Sequence, residues 1–321
     1  MKITIGIPVF NCEAWVSTAV QSALDQTWTD KEIIVVDDGS TDRSAEICRA
    51  FGSRIQFVQQ PNKGGNAARN EICRLSSGQW IQFLDADDYL KPDKIRSQIQ
   101  GSADLEETDL LCSATIYQYW VHGRITNEAF APLEQDCDWF ALWLTWSMPQ
   151  TGGCLWRKAA LEKIGGWNEQ VRCNQEYELY FRAFKNGLRF RTAGDALAVY
   201  RLWSENTVCR RDKKDVVFGI THLIHQFLGW LKEQEKLTPQ YQELAARSCF
   251  ALARTLALQD LRLATDYYRA RKREGLIQPV GASAPRAYRL ALKVLGFPAT
   301  ERIAHMRRKM ERSKPATNGE R

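Results

Sequence analysis

The 321-residue sequence contains no apolar run of the about 20 residues that a membrane-spanning helix needs. Its first nine residues form only a strand-length apolar run, without the cleavage pattern of a secretory signal peptide. The nine cysteines are odd in number, and even the smallest separation, between Cys137 and Cys154, is far wider than a Cys-x-x-Cys spacing. These absences argue against a disulfide-stabilised secreted protein. They predict a cytoplasmic chain with reduced, mostly buried thiols.

Positive charge is concentrated at one end of the sequence. The net charge is +6, but residues 280–321 contain ten lysine or arginine residues against three acidic ones, so this segment carries +7 and the preceding residues −1. Ile303, Met306 and Met310 share one face of the helix predicted there. We expect either a solvated or homodimer-forming helix, or peripheral contact with the inner face of the plasma membrane. No nucleic-acid partner is predicted, because no recognised binding module accompanies the charge.

Short apolar runs alternate with helical patterns over the first hundred residues. Strands that alternate with helices are typical of βαβ units and a parallel sheet, so the predicted fold class is α/β. From residue 215 onward, apolar residues recur at helical spacing, which predicts domains at residues 1–214 and 215–321. The predicted strands are residues 2–9, 32–36, 54–58 and 80–84, and the predicted helices between them are residues 13–24, 41–51 and 66–75.

Carboxylates follow two of these strands at the point where each strand ends. Asp37 and Asp38 follow the second strand, and Asp85, Asp87 and Asp88 follow the fourth. The carboxyl ends of parallel strands meet at the edge of the sheet where ligands bind. Three carboxylates within four residues repel one another, and Mg²⁺ or Mn²⁺ bound by one or two of them relieves that repulsion. The structural alternatives are a turn with a helix cap for the first pair and a solvated acidic loop for the second group.

The order of motifs along the chain resembles that of family 2 glycosyltransferases with the GT-A fold. The resemblance covers about residues 2–206 and implies a Rossmann-like, mainly parallel sheet with flanking helices, followed here by a C-terminal helical region. Six segments carry it: Ile7-Pro8-Val9-Phe10-Asn11, Asp37-Asp38-Gly39-Ser40, Asn62-Lys63-Gly64-Gly65-Asn66-Ala67-Ala68-Arg69-Asn70, Asp85-Ala86-Asp87-Asp88, Gly165-Gly166-Trp167-Asn168-Glu169 and Gln175-Glu176-Tyr177-Glu178-Leu179.

This resemblance implies a site for the nucleotide of a nucleotide-sugar donor. Pro8 and Phe10 would lie against the base, and Asp38 would accept a hydrogen bond from the base edge, where uracil offers an N–H. Gly64 and Gly65 would let the backbone approach the nucleotide closely, which glycine tolerates best.

The resemblance also implies that the Asp-x-Asp segment forms the metal and ribose site. Asp87 and Asp88 would hold the ribose and a Mn²⁺ or Mg²⁺ ion, with Asp85 in support. Arg69 would face the phosphates or brace the fold. Many relatives carry a histidine shortly after the position of Arg201. Here no histidine follows, so either Arg201 contacts the phosphate, for which a guanidinium is well suited, or water completes the metal site.

The acceptor hydroxyl must lose a proton, and a carboxylate near the anomeric carbon can accept it. By position, the resemblance implies Glu176 as this base, with Glu178 as the alternative. Relatives usually carry a Glu-Asp pair where this chain has Gln175-Glu176, so the side chain here is one methylene longer. With a single base and no evident protein nucleophile, the family likeness implies inversion at the anomeric carbon.

Together these features predict an inverting, metal-dependent hexosyltransferase. It would transfer a sugar from a nucleotide donor, expected to be a UDP-sugar, to a saccharide or lipid-linked acceptor in cell-surface polysaccharide or glycolipid synthesis. Two alternatives stay open: a non-catalytic sugar-nucleotide-binding scaffold, and a sugar nucleotidyltransferase. The latter needs a glycine- and lysine/arginine-rich loop after the first strand, which residues 7–11 lack.

Tryptophans are frequent between residues 139 and 167. Aromatic faces stack well on sugar rings, so one or two of them are candidates for an acceptor platform. Core packing is the stronger expectation for the group as a whole, because tryptophan is highly buried on average. The five residues are Trp139, Trp143, Trp146, Trp156 and Trp167.

Overall fold

The computed structural model describes residues 1–121, 123–203 and 213–312 of the chain. These residues form two compact units, the first from residues 1–139 and 148–203 and the second from residues 140–147 and 213–312. The last residues of the family resemblance, 204–206, and the end of the basic tail, 313–321, lie outside the described residues. No described helix is both long and apolar enough to cross a bilayer.

A seven-stranded sheet forms the centre of the first unit. Its order is β10-β6-β9-β4-β1-β2-β3. β9 runs antiparallel to both its neighbours, and the other pairs in this sheet are parallel. The strands are β1 (Ile3–Val9), β2 (Lys31–Asp37), β3 (Gln56–Gln59), β4 (Trp80–Phe83), β6 (Leu110–Cys112), β9 (Cys154–Arg157) and β10 (Phe190–Thr192).

A second sheet of four strands lies in the same unit. Its strands are β5 (Tyr89–Leu90), β7 (Thr115–Val121), β8 (Arg124–Ala131) and β11 (Ala198–Leu202), in the order β5-β11-β7-β8. β11 pairs antiparallel with β5, which follows directly after the carboxylates at the end of β4. This pairing brings residues near 200 beside residues near 88, although more than a hundred residues separate them in the chain.

Helices cover the central sheet. β1 is buried along nearly its whole length, as expected for a parallel strand with other elements on both faces. The apolar side of α1 packs on this sheet through buried residues such as Val16 and Val20. The helices up to residue 185 are α1 (Val16–Leu24), α2 (Ser44–Arg49), α3 (Gly65–Leu75), α4 (Lys94–Gln100), α5 (Trp139–Leu144), α6 (Lys158–Lys163) and α7 (Gln175–Lys185).

The second unit is helical. It contains α8 (Lys213–Glu233), α9 (Pro239–Ala257), α10 (Leu261–Arg273) and α11 (Arg286–Arg312). Most of α5 belongs to this unit, where Trp143 stacks on Phe227 with ring centroids 4.3 Å apart. α11 consists of two helical segments that meet at Gly296, whose φ of 73° and ψ of 173° are not helical.

The predicted fold class is confirmed, as are the four predicted strands and three predicted helices, with ends shifted by at most three residues; β5 and α4, also within the first hundred residues, were not predicted. The helical region after residue 215 is confirmed as well. The sequence pattern had not identified α5 as a partner of those C-terminal helices. Its contacts with residues about ninety positions later follow from packing, which local periodicity does not encode.

Candidate active site

The turns that follow β1 and β2 are fastened to each other. Asn11, with a φ of 47°, donates its backbone N–H to Ser40 Oγ at 3.0 Å, and its side-chain oxygen accepts from the Thr41 N–H at 2.8 Å. Phe10, one residue earlier, is 51% exposed, and Pro8 is half-buried. The end of β1 therefore presents an aromatic ring at the edge of the sheet where the sequence predicts the nucleotide base.

Asp38 anchors the loop that leads into α3. It is buried, and one of its oxygens accepts from Gln60 Nε2 at 2.7 Å and from the Lys63 N–H at 2.9 Å. Its other oxygen accepts from the Gly64 N–H at 2.7 Å. Gly64 has a φ of 96°, a conformation that favours glycine, and Gly65 begins α3. A carboxylate has about four acceptor sites, so Asp38 can hold this loop and still accept a hydrogen bond from a ligand.

Three carboxylates crowd the end of β4. Asp88 is buried and accepts the Arg201 backbone N–H at 2.7 Å, and Asp87 accepts from Trp203 Nε1 at 2.9 Å. Burial, and then the charge of Asp85, raises the pKa of Asp87. Burial and the charges of Asp87 and Asp85 hold the pKa of Asp88 well above its usual range. The cluster thus has an excess of negative charge that a bound cation would offset.

Arg69 pairs with Asp85, the first of these carboxylates in the chain. Its Nη2 lies 2.6 Å from Asp85 Oδ1, and its guanidinium lies 4.8 Å from the ring centre of Trp167. Nη1 also donates to Gln175 Oε1 at 3.3 Å, which ties the end of β4 to the start of α7. Of the two roles predicted for Arg69, contacting the phosphates or bracing the fold, these contacts favour bracing the fold.

Arg201 is a buried cation in an aromatic cage. Its guanidinium carbon lies 4.7 Å from the ring centre of Trp15, 4.6 Å from that of Tyr89 and 5.8 Å from that of Trp120. Nη1 donates to the Asp87 carbonyl at 3.1 Å, and burial lowers the pKa of the guanidinium. The cage holds a fixed positive charge beside the carboxylates. Sequence reasoning missed these three rings because they come from the residue before α1, from β5 and from β7.

Glu176 stands in the first turn of α7. Its Oε1 accepts from Thr151 Oγ1 at 2.9 Å. Glu178, the alternative base, forms a two-bond ion pair with Arg182, at 2.7 and 2.8 Å. Because this pairing occupies Glu178, the geometry favours Glu176. Thr151 was not identified from the sequence, and no local motif marks it.

The tryptophans between residues 139 and 167 belong mainly to cores. Trp143, Trp156 and Trp167 are buried, which confirms the core-packing interpretation for these three. Two partly exposed aromatic side chains come instead from Trp203, which donates to Asp87, and from Phe10 at the end of β1.

The donor atoms at the end of β4 fit a divalent cation that is bound together with its substrate. In the described ranges, no three His, Cys, Asp or Glu side chains converge as a complete metal site. Mg²⁺ and Mn²⁺ typically take one or two carboxylates and complete their coordination with phosphate oxygens and water. Asp87 accepts from Trp203 and Asp88 from the Arg201 N–H, and since a carboxylate has about four acceptor sites, both can also bind a cation that relieves their mutual repulsion.

Comparison with known sequences identifies the family. The model of glycosyl transferase family 2 matches residues 4–165, half of the chain. Over 99 residues the chain is 40% identical to glycosyltransferase GlyA of Streptococcus pneumoniae, covering 30% of this chain and 14% of that protein. Over 96 residues it is 43% identical to chondroitin synthase of Escherichia coli, covering 29% of this chain and 14% of that protein. The chain therefore matches only a small part of the length of these relatives.

Solved structures define the fold. TarS of S. aureus in complex with UDP-GlcNAc superimposes with a TM-score of 0.58 at 17% identity, over 85% of this chain and 88% of that one. Mannosyltransferase PcManGT from Pyrobaculum calidifontis, in complex with GDP-Man and Mn²⁺, gives a TM-score of 0.54 at 14% identity. The superposition covers 95% of this chain and 86% of that one. Fold and site thus define a protein of the GT-A class. Within that class, the chain belongs to glycosyl transferase family 2.

Proposed function

We propose that the chain is an inverting, metal-dependent glycosyltransferase that moves a hexosyl group from a UDP-sugar to a saccharide or lipid-linked acceptor. The observation that carries this proposal is the group of three carboxylates at the end of β4, flanked by the buried Arg201. Family membership supports the reaction class, and the nucleotide-sugar complexes of structural neighbours support the donor class.

The nucleotide would lie across the ends of β1 and β2. Phe10 offers an exposed ring for the base, with Pro8 beside it, and Asp38 retains an acceptor site for a base N–H. Gly64 is the N-cap of α3 and Gly65 is its first residue, so both lie at the positive end of the helix dipole, where backbone N–H groups favour an anion.

Asp87 and Asp88 would hold Mn²⁺ or Mg²⁺. Such an ion stabilises the negative charge that grows on a nucleoside diphosphate leaving group. Arg201 contributes a second positive charge, and its aromatic cage keeps that charge in place without a bound ligand. Arg69 holds Asp85 in position through their ion pair.

Glu176 would act as the general base. Its carboxylate accepts the proton of the acceptor hydroxyl while the acceptor oxygen bonds to the anomeric carbon and the bond to the donor phosphate breaks. A single displacement of this kind inverts the anomeric configuration. We place this reaction in the assembly of a cell-surface polysaccharide or glycolipid. The cytoplasmic location and the homodimer stay predictions.

Calorimetric titration of UDP, GDP, ADP and CDP, each with and without Mn²⁺, tests the donor site. We expect Mn²⁺-dependent binding of UDP that weakens at least about a hundredfold in Asp87→Asn/Asp88→Asn, as for a lost charge-assisted metal contact. The matched control Glu106→Gln/Asp136→Asn removes two exposed acidic groups elsewhere and should bind UDP like the wild type. If the folded protein binds none of the four nucleotides, the donor-site assignment fails.

Turnover of UDP-sugars tests the chemistry separately from binding. Glu176→Gln should lower kcat by about 10²–10⁴-fold, the usual contribution of a general base, with UDP affinity unchanged. Glu178→Gln is the matched control, because it alters a neighbouring acid that is already paired with Arg182. Unchanged turnover in Glu176→Gln would refute the base assignment. A wild type that binds UDP with Mn²⁺ but turns over no donor would be a sugar-nucleotide-binding scaffold.

A further inference from the structure

An apolar stripe on α11 faces solvent. In the segment before Gly296, Leu290 and Val294 lie one turn apart and are 66% and 82% exposed. In the segment after it, Ile303 and Met306 are also spaced to share one face, and Met306 is 56% exposed. We call these four residues the α11 stripe. The side chain of Met310, predicted on the same face, lies outside those that the structure describes.

The opposite side of α11 is the side that packs within the helical unit. Phe297 is buried and stacks on Tyr268 with ring centroids 4.3 Å apart. Glu301 is buried too, and its carboxylate accepts from Arg254 Nε at 2.6 Å and from Tyr288 Oη at 2.7 Å. Folding of this unit therefore uses one face of α11 and leaves the stripe to another partner.

Basic side chains border the stripe. Arg286, Lys293 and Arg302 are exposed, and each lies within four residues of a stripe residue on the same helical segment. Glu301 is the one acidic residue between positions 286 and 310, and its charge is buried in ion pairs. The surface around the stripe is thus apolar in the middle and positive at the border.

We propose that the α11 stripe docks on an anionic lipid bilayer. An interfacial helix buries its apolar face at the headgroup boundary while its basic residues meet anionic lipid, and the two contributions add. Charge complementarity selects this occupant over a second copy of the chain. A symmetric dimer would place one basic border against another, because such an interface uses the same patch twice.

Flotation of the full chain with lipid vesicles tests this surface, and the assay needs neither donor nor turnover. Vesicles of phosphatidylcholine with about 30% phosphatidylglycerol should bind the chain at low salt, and pure phosphatidylcholine should bind it far less. Arg286→Gln/Lys293→Gln/Arg302→Gln should weaken binding by roughly fivefold per charge, on the order of a hundredfold in total. Leu290→Ser/Val294→Ser/Met306→Ser should abolish it.

The control Leu258→Ser/Lys232→Gln/Lys236→Gln changes one exposed apolar and two exposed basic residues elsewhere in the same unit and should bind like the wild type. Val294→Glu alone, at the most exposed stripe position, should also weaken binding, and it guards against misfolding of the triple variants. The proposal is overturned if anionic vesicles do not retain the wild type, or if Val294→Glu binds them equally well. Stripe substitutions that change the particle mass in light scattering but not vesicle binding would assign the surface to a second copy.

Discussion

The Thr151–Glu176 contact shows how single residues complete this site. Glu176 lies on the first turn of α7, and its long side chain has several rotamers available. Thr151 is buried in the turn before β9, so its hydroxyl is a fixed donor. One hydrogen bond therefore selects one orientation of the proposed base. Thr151 acts through Glu176 and is a positioning residue.

Substitution at Thr151 provides the first prediction. Thr151→Val keeps the shape of the side chain but removes the hydroxyl, and we expect kcat to fall about tenfold, as for one lost hydrogen bond to a charged group. Donor KM should hardly change, because the proposed role of Glu176 is to take the proton of the acceptor hydroxyl. Thr151→Ser restores a hydroxyl and should recover most of the activity. A parallel loss in Thr151→Ser, or a rise in donor KM in Thr151→Val, would indicate a purely structural role.

Arg201 is a second case in which single residues complete the site, because aromatic rings hold its charge beside the carboxylates. The family resemblance leads one to expect a histidine shortly after this position, and here the following residues are Leu202 and Trp203. Arg201 sits between the rings of Trp15 and Tyr89, and the indole of Trp203 donates to Asp87. A guanidinium keeps its charge even when buried, so this cage maintains positive charge beside the carboxylates at any physiological pH.

At the scale of elements, the turn after β2 depends on glycine. Gly39 has a φ of +74°, and a Cβ at this position would lie 2.8 Å from the backbone nitrogen of Asn62. Gly52 has a φ of +60°, but a Cβ there would meet nothing within 4 Å. The two positions share a left-handed conformation and differ in the space available, which makes them a matched pair.

This pair gives the second prediction. Gly39→Ala should lower the free energy of unfolding by about 2–4 kcal/mol, because left-handed strain adds to a backbone clash. Gly52→Ala should lower it by about 1 kcal/mol, through strain alone. Chemical denaturation of both variants measures the difference. UDP affinity should fall only in Gly39→Ala, since the Asp38 loop moves with Asn62. Equal losses of stability and of UDP affinity in the two variants would contradict the close approach of Gly39 to Asn62.

The starts of β1, β2 and β4 are joined by one carboxylate. Glu32 on β2 accepts from Thr4 Oγ1 at 2.6 Å, from the Ser77 N–H at 2.7 Å, and pairs with Lys2 Nζ at 2.7 Å. Partial burial raises the pKa of Glu32, but these bonds from Lys2, Ser77 and Thr4 outweigh it and lower the pKa to about 2. The three strands are thereby tied together at the end of the sheet opposite the candidate site.

The third prediction concerns acid stability. Because the folded pKa of Glu32 lies below its usual value of 4.5, its stabilising contribution is present above pH 4.5 and is lost as the pH falls toward 2. Over that range the wild type should lose on the order of 2 kcal/mol more than Glu32→Gln in free energy of unfolding. Glu46→Gln, at an exposed ion pair, is the control and should follow the wild type. Parallel acid profiles for the wild type and Glu32→Gln would contradict this role.

For the whole molecule, ligand binding and stability should be linked. A ligand that binds only the folded state raises the free energy of unfolding by about 2.7 kcal/mol at about 100 times its Kd. Our fourth prediction is that UDP with Mn²⁺ raises the midpoint of thermal unfolding of the unit that contains Asp87 and Asp88, and that Mn²⁺ alone has little effect. Scanning calorimetry checks this. An equal shift in Asp87→Asn/Asp88→Asn would place the nucleotide elsewhere.

The sequence by itself determined the first four strands of the central sheet, the three helices between them, the helical C-terminal region and the family. These elements and the carboxylates at strand ends follow from apolar periodicity and from motifs within short segments, and these are local properties. The consecutive order of the motifs was enough to indicate the GT-A class, which the fold confirms. The division at residue 214 and the roles of individual site residues stay predictions.

Only the tertiary structure decided which of these residues act together. It paired Arg69 with Asp85, enclosed Arg201 with rings from three parts of the chain, and placed Thr151 against Glu176. The physical reason is that a buried charged group pairs with the residues that tertiary packing places next to it, wherever they lie in the chain. Those partners lie between 16 residues away, for Arg69 and Asp85, and 186 residues away, for Arg201 and Trp15, beyond the reach of any periodic pattern.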